Sequence, residues 1–148
     1  MSWMRHRKWD PLSGRPDYVL PVLHKRVMYY GQQTSVFQFY VGRSIQPEIR
    51  QIAHGSDDHA ILYESMSLSD TKSVERHLIR AFEGYRKYNN RGRSSGGHDE
   101  DGIPNFVYVG WWYPRLDKTP RRLTDSRPNE HPANDWVYRY RNDEANQL

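Results

Sequence analysis

The sequence predicts an α+β domain in which a small antiparallel sheet is flanked by helices. Three observations predict it. Aromatic and β-branched runs at 26–31, 37–42, 59–66 and 105–113 read as strands. The stretch from 69 to 88 repeats its apolar residues with a helical period. Glycine, proline and asparagine punctuate the segments between these runs.

Residues 1–24 are polar, carry Pro11, Pro16 and Pro21, and read as an irregular N-terminal arm. Residues 26–31 (RVMYYG) and 37–42 (FQFYVG), joined by a polar stretch, read as an antiparallel hairpin. Ser44 to His54 then reads as a first helix, with Pro47 in the opening turn, where its missing N–H costs little, and Gly55 as the stop. Residues 59–66 (HAILYESM) form a third strand. Ser69, Asp70 and Thr71 offer N-cap chemistry for a second helix, in which Val74, Leu78, Ala81, Phe82 and Tyr85 share one face. Asn89 and Asn90 end it, residues 91–104 form a loop, and residues 105–113 (NFVYVGWWY) add one more strand. The domain therefore spans 25–113 in the order β-β-α-β-α plus an extra strand. A proline- and charge-rich C-terminal arm follows at 114–148, with one candidate strand in DWVYRYR, and no internal repeat stands out.

The 148 residues suffice for one core and are too few for two ordinary domains. Mean hydropathy is −1.01, so the surface is very polar or part of the chain lies outside the core. The net charge of +4 and the pI near 9.4 suit a polyanion, because phosphates attract Arg and Lys and bases stack on exposed rings. The absence of cysteine excludes disulfides, thiol catalysis and cysteine-based metal sites, and it suits a reducing compartment inside the cell: cytoplasm, nucleoid or an organelle. No apolar run reaches the ~20 residues of a membrane span, and the basic first residues lack the apolar core of a secretory signal.

Several side chains carry chemistry. On the second helix Glu75 lies within about 60° of Leu78, Ile79 and Phe82 around the axis, so its carboxylate borders the apolar face. A carboxylate there needs a cation, either a metal or a basic side chain such as Arg86. On the first helix Arg50 and His54 are one turn apart, beside a stripe of Ile49, Ile52 and Ala53. A guanidinium fork next to an imidazole suits a phosphate. Tyr29, Tyr30 and Tyr40 fall on the predicted hairpin. A phenol becomes a base near neutral pH only where cations stabilise its phenolate. The acidic loop His98-Asp99-Glu100-Asp101 reads as a solvated turn, and Trp111-Trp112 as a core edge or a subunit interface.

Taken in order, these residues resemble the GIY-YIG nuclease family. Tyr40-Val41-Gly42 matches the second triplet, and Val27-Met28-Tyr29 stands at the first, without its glycine and isoleucine. Arg50 matches the helix arginine, His54 the histidine one turn later, Glu75 the metal-binding glutamate, and Asn89 or Asn90 the closing asparagine. The resemblance covers residues 26–90. It implies a GIY-YIG-like fold and divalent-metal-dependent hydrolysis of DNA, or of RNA, by an endonuclease of restriction or homing type. It further implies a tyrosine phenolate from Tyr29 or Tyr40, Arg50 on the scissile phosphate, His54 as a proton relay and Glu75 on Mg²⁺ or Mn²⁺. Arg43, Arg91 and Arg93 would contact the nucleic acid. The competing expectation is a catalytically silent domain of the same fold, acting as a nucleic-acid-binding or structural subunit of a homodimer or larger assembly, with Glu75 paired to a fixed cation.

Overall fold

The computed structural model describes residues 6–89 and 100–115. The elements run α1 (Pro16–Gly31), β1 (Gln38–Ser44), α2 (Pro47–His54), β2 (Asp58–Ser65), α3 (Leu68–Phe82) and β3 (Asn105–Trp112). The three strands form one antiparallel sheet in the order β1-β3-β2. A small α+β fold with an antiparallel sheet flanked by helices is therefore present, but its element order is α-β-α-β-α-β rather than β-β-α-β-α.

The difference begins at residue 16. The expected arm and first hairpin strand are instead one helix, α1. Pro16 opens it with φ already preset, and Asp17 sits at the positive end of the dipole. Val19, Leu23, Val27 and Tyr30 are buried along one side at spacings of four, four and three. That periodicity outweighs the local β-preference of RVMYYG, a preference that depends strongly on context. Pro21 removes one internal hydrogen bond without breaking the helix.

The last strand takes the place of the lost one. β3, expected as a peripheral addition, is the central strand. Its register aligns Val109 with both Val41 of β1 and Ala60 of β2. β1 is buried along its whole length, because residues 87–89 close its outer edge. Phe39 N–H donates to the Lys87 carbonyl at 3.0 Å, and Val41 N–H donates to the Tyr88 hydroxyl at 3.2 Å. Leu12 closes the opposite edge through bonds with Leu62 and Glu64 of β2, beside a bulge between Ile61 and Tyr63.

Side chains alternate across the sheet, so each face has its own helices. α1 and α3 cover the face carrying Phe39, Val41, Arg43 and Trp111. Trp111 stacks on Tyr30 at 4.5 Å, and Phe39 meets Phe82 edge-on at 5.8 Å. α2 lies on the other face, which carries Tyr40, Tyr108 and Trp112; Gly55, in a left-handed turn at φ 77, ends it as expected. The Ile49, Ile52 and Ala53 stripe of α2 faces away from the sheet, with Ile49 and Ile52 exposed. α3 starts two residues sooner than expected. Ser67, not Ser69, caps it by accepting from the Asp70 N–H, and the Asp101 carboxylate takes the Leu68 N–H at 2.8 Å. The acidic turn thus closes a helix end instead of standing wholly in solvent.

Two glycines are required by the register. Gly42 is opposite Tyr108, and Gly110 is opposite Tyr40. A Cβ at Gly42 would come within 2.9 Å of the Tyr108 ring and hydroxyl. Gly42→Ala should therefore cost ~1–3 kcal/mol, the usual range for overpacking. Gly84→Ala, which meets nothing within 4 Å, should be neutral or slightly stabilising. Urea unfolding of the two variants checks this, and equal midpoints would refute the packing.

Candidate functional site

The α2 face of the sheet gathers the polar aromatic chemistry. Tyr40 and Tyr108 each cross the other strand's glycine, and this brings their hydroxyls together. Tyr40 donates to Tyr108 at 3.3 Å and lies 3.4 Å from the Ser56 hydroxyl. The rings meet edge-on, 5.6 Å apart. His54, from the last turn of α2, sits with its ring 4.8 Å from that of Tyr40, and Trp112 flanks the same ring at 5.3 Å. The Trp112 indole N–H donates to the Gly55 carbonyl at 2.9 Å, fixing the end of α2 against the sheet. The Gln51 amide binds the Ser56 carbonyl in the same corner.

Burial pushes the Tyr108 phenol far above its ordinary value. The nearby Tyr40 adds to the rise, the Arg50 guanidinium opposes it, and the Glu75 charge adds to it. Arg50 is thus close enough to act on this phenol, and Tyr108 is a protonated hydrogen-bond donor at neutral pH. Tyr88 is likewise raised by burial, and its hydroxyl is committed to the backbone of β1.

Glu75 and Arg43 meet on the opposite face. Arg43 Nε lies 3.3 Å from Glu75 Oε1, with the two side chains 1% and 10% exposed. The position of Glu75 against the apolar face of its helix agrees with the sequence. Its cation is Arg43, where the sequence suggested Arg86 or a metal. Arg43 in turn is buried and cannot serve as the nucleic-acid contact expected of it. A carboxylate has about four lone-pair sites, so one arginine bond is chemically compatible with one metal contact. Among the described residues no group of three or more His, Asp or Glu could hold a metal. Any divalent ion at Glu75 would therefore draw most of its ligands from water and from a phosphate.

The structure brings Tyr40 and His54 together on the α2 face, with Arg50 one turn before His54 on the same helix, while Glu75 lies on the opposite face with Arg43. Tyr29 does not join them. It lies on α1, where its hydroxyl accepts the Arg7 N–H at 3.2 Å and its ring packs on Trp9. Asn89 is buried and does tie the end of the α3 connection to the sheet: its N–H donates to the Phe39 carbonyl at 2.8 Å, and its amide donates to Gln38 at 3.2 Å. Asn90, Arg91 and Arg93, His98 and Asp99, and the tail segment DWVYRYR lie outside the described residues.

Tyr108 is the residue that the sequence reading missed. Its signal was a second Tyr-Val-Gly at 108–110, identical to that at 40–42. Among the described residues no helix is long and apolar enough to cross a membrane. No protein-family model, curated protein or solved structure matches the chain.

The ion pair gives a direct expectation. Glu75→Gln would leave the Arg43 charge buried beside a neutral amide and should cost ~3 kcal/mol or more. The double variant Arg43→Met with Glu75→Leu should recover most of that loss. Denaturant melts of the three proteins check it, and a Glu75→Gln protein as stable as wild type would contradict the pairing.

Proposed function

We propose that the chain is a divalent-metal-dependent endonuclease, hydrolysing DNA phosphodiester bonds at the α2 face of the sheet, with RNA as the alternative substrate. The observation that carries this reading is the convergence of Tyr40, Tyr108 and His54 beside Arg50, from three different elements. An imidazole and a guanidinium one helical turn apart on α2, seated over two buried phenols, suit an anionic, tetrahedral ester. The basic balance of the chain supports a polyanionic substrate. The resemblance to GIY-YIG nucleases supports the same chemistry, with Tyr108 standing where Val27-Met28-Tyr29 was expected to supply the first tyrosine.

Each residue then has a role set by its surroundings. Arg50 holds the phosphate and offsets the charge that develops on its oxygens. Tyr108, fully buried and kept protonated, backs Tyr40 from within the sheet and neither touches the phosphate nor acts as a phenolate. Tyr40 donates to Tyr108 and fixes its orientation. His54 holds the Tyr40 ring from above. Glu75, the residue expected to hold Mg²⁺ or Mn²⁺, lies on the opposite face in its pair with Arg43, so a divalent ion at the α2 face would be held by the phosphate and by water, where it would polarise the phosphate and acidify a coordinated water.

A second reading has its own observation. The Arg43–Glu75 pair already neutralises the carboxylate without a metal, as expected of a silent domain that binds nucleic acid or supports a larger assembly. Plasmid nicking with Mg²⁺ and with Mn²⁺ separates the two. The nuclease reading expects Arg50→Ala to lower the rate by ~10²-fold or more, and Tyr29→Phe to leave it unchanged. Wild-type protein that retains DNA at low salt but never nicks it would favour the silent domain.

A further inference from the structure

His59 of β2 stands in register with Gly110, as Tyr40 does from the other side. The three residues form one row across the sheet, and the Tyr40 ring fills the space over Gly110. The His59 ring is also 6.3 Å from that of Tyr108, at right angles to it. Two imidazoles thus flank the tyrosine pair: His54 against Tyr40 from the helix, and His59 against Tyr108 from the strand. His59 is half-buried, on the sheet face that carries Tyr40 and Tyr108.

We propose, resting on the nuclease reading above, that His59 is a further catalytic residue that takes the proton of the attacking water. In the step, the water oxygen bonds to phosphorus, the ester P–O bond breaks, and the water proton passes to the imidazole. The departing oxygen is protonated from solvent, to which His59 then returns its proton. The phenols do not compete for this role, because Tyr108 is held protonated by burial and the Tyr40 hydroxyl donates to it.

The surroundings of His59 favour a neutral ring. Burial lowers its pKa below 6.5; Lys8 lowers it further, and Asp58 and Glu48 raise it. Lys8 and Asp58 offset each other as an ion pair at 2.8 Å, and Asp58 also accepts the His59 backbone N–H at 2.7 Å. Glu48 faces the ring from α2, and Tyr108 from β3. With the free-state pKa lowered, the imidazole is a competent acceptor above that value and is silenced by protonation below it.

The test is the pH dependence of plasmid nicking with Mg²⁺. Wild-type rate should rise with pH through a midpoint below 6.5 and then level. His59→Ala should lose that limb, fall ~10²- to 10⁴-fold at neutral pH, and recover in part with added imidazole. Wild-type nicking with an unchanged rate and profile in His59→Ala would overturn this role and leave the nuclease reading standing. No nicking by wild type would overturn both. Should His59→Ala fail to fold, an NMR titration of wild-type His59 decides. A non-cleavable phosphorothioate duplex should raise its midpoint by about one pH unit, and an unmoved midpoint would overturn the role.

Discussion

Val41 and Val109 face each other at the centre of two antiparallel strands, and each stands between a tyrosine and a glycine. Because the strands run in opposite directions, each tyrosine meets the other strand's glycine. The exchange is sterically reciprocal: any side chain on either glycine would occupy the space of the opposing ring. It also pins the register, since a slip of one residue would move both phenols to the far face. The hydroxyl contact, the seat of α2 and the placement of Arg50 and His54 all follow from this one pairing.

The other face has a different organising contact. Arg43 and Glu75 are withdrawn from solvent and meet through one bond, Nε to Oε1, at the junction of β1 and α3. Such a pair gives little net stability compared with apolar residues of similar volume, yet breaking it is costly. It therefore fixes α3 on the sheet more than it strengthens the fold. The silent-domain and nuclease readings share this geometry and differ in whether a divalent ion and a phosphate are bound on the α2 face.

Much of the layout was legible in the residues. Gly55 marked the end of α2, the four-residue spacing of Val74, Leu78 and Phe82 marked α3, and Glu75 was placed correctly against its apolar face. What failed was the segment 26–31. Its aromatic and β-branched composition suggests a strand when read alone, while its membership of a buried stripe beginning at Val19 makes it helical. Once that segment was taken as a strand, Tyr29 became the obvious first tyrosine, and the aromatic run at 105–113 was set aside as an addition. The repeated Tyr-Val-Gly was visible, but its meaning is a matter of pairing between residues 68 positions apart, and local patterns carry no information about that. The outward stripe of Ile49 and Ile52 has a related origin. The sheet face beneath α2 is filled by Tyr40, Tyr108 and Trp112, and the short helix settles on them through Pro47, His54 and the Gly55 turn.

The reciprocal packing of the two tripeptides is tested most directly by a double-mutant cycle between Gly110 and Tyr40, read by equilibrium unfolding. A methyl at Gly110 would intrude on the Tyr40 ring. Gly110→Ala should therefore destabilise the wild-type background by ~1–3 kcal/mol. In the Tyr40→Ala background, where the ring is gone, most of that penalty should vanish, leaving a coupling energy of comparable size. A penalty for Gly110→Ala that is the same with and without the Tyr40 ring would show that the two strands do not pair in this register.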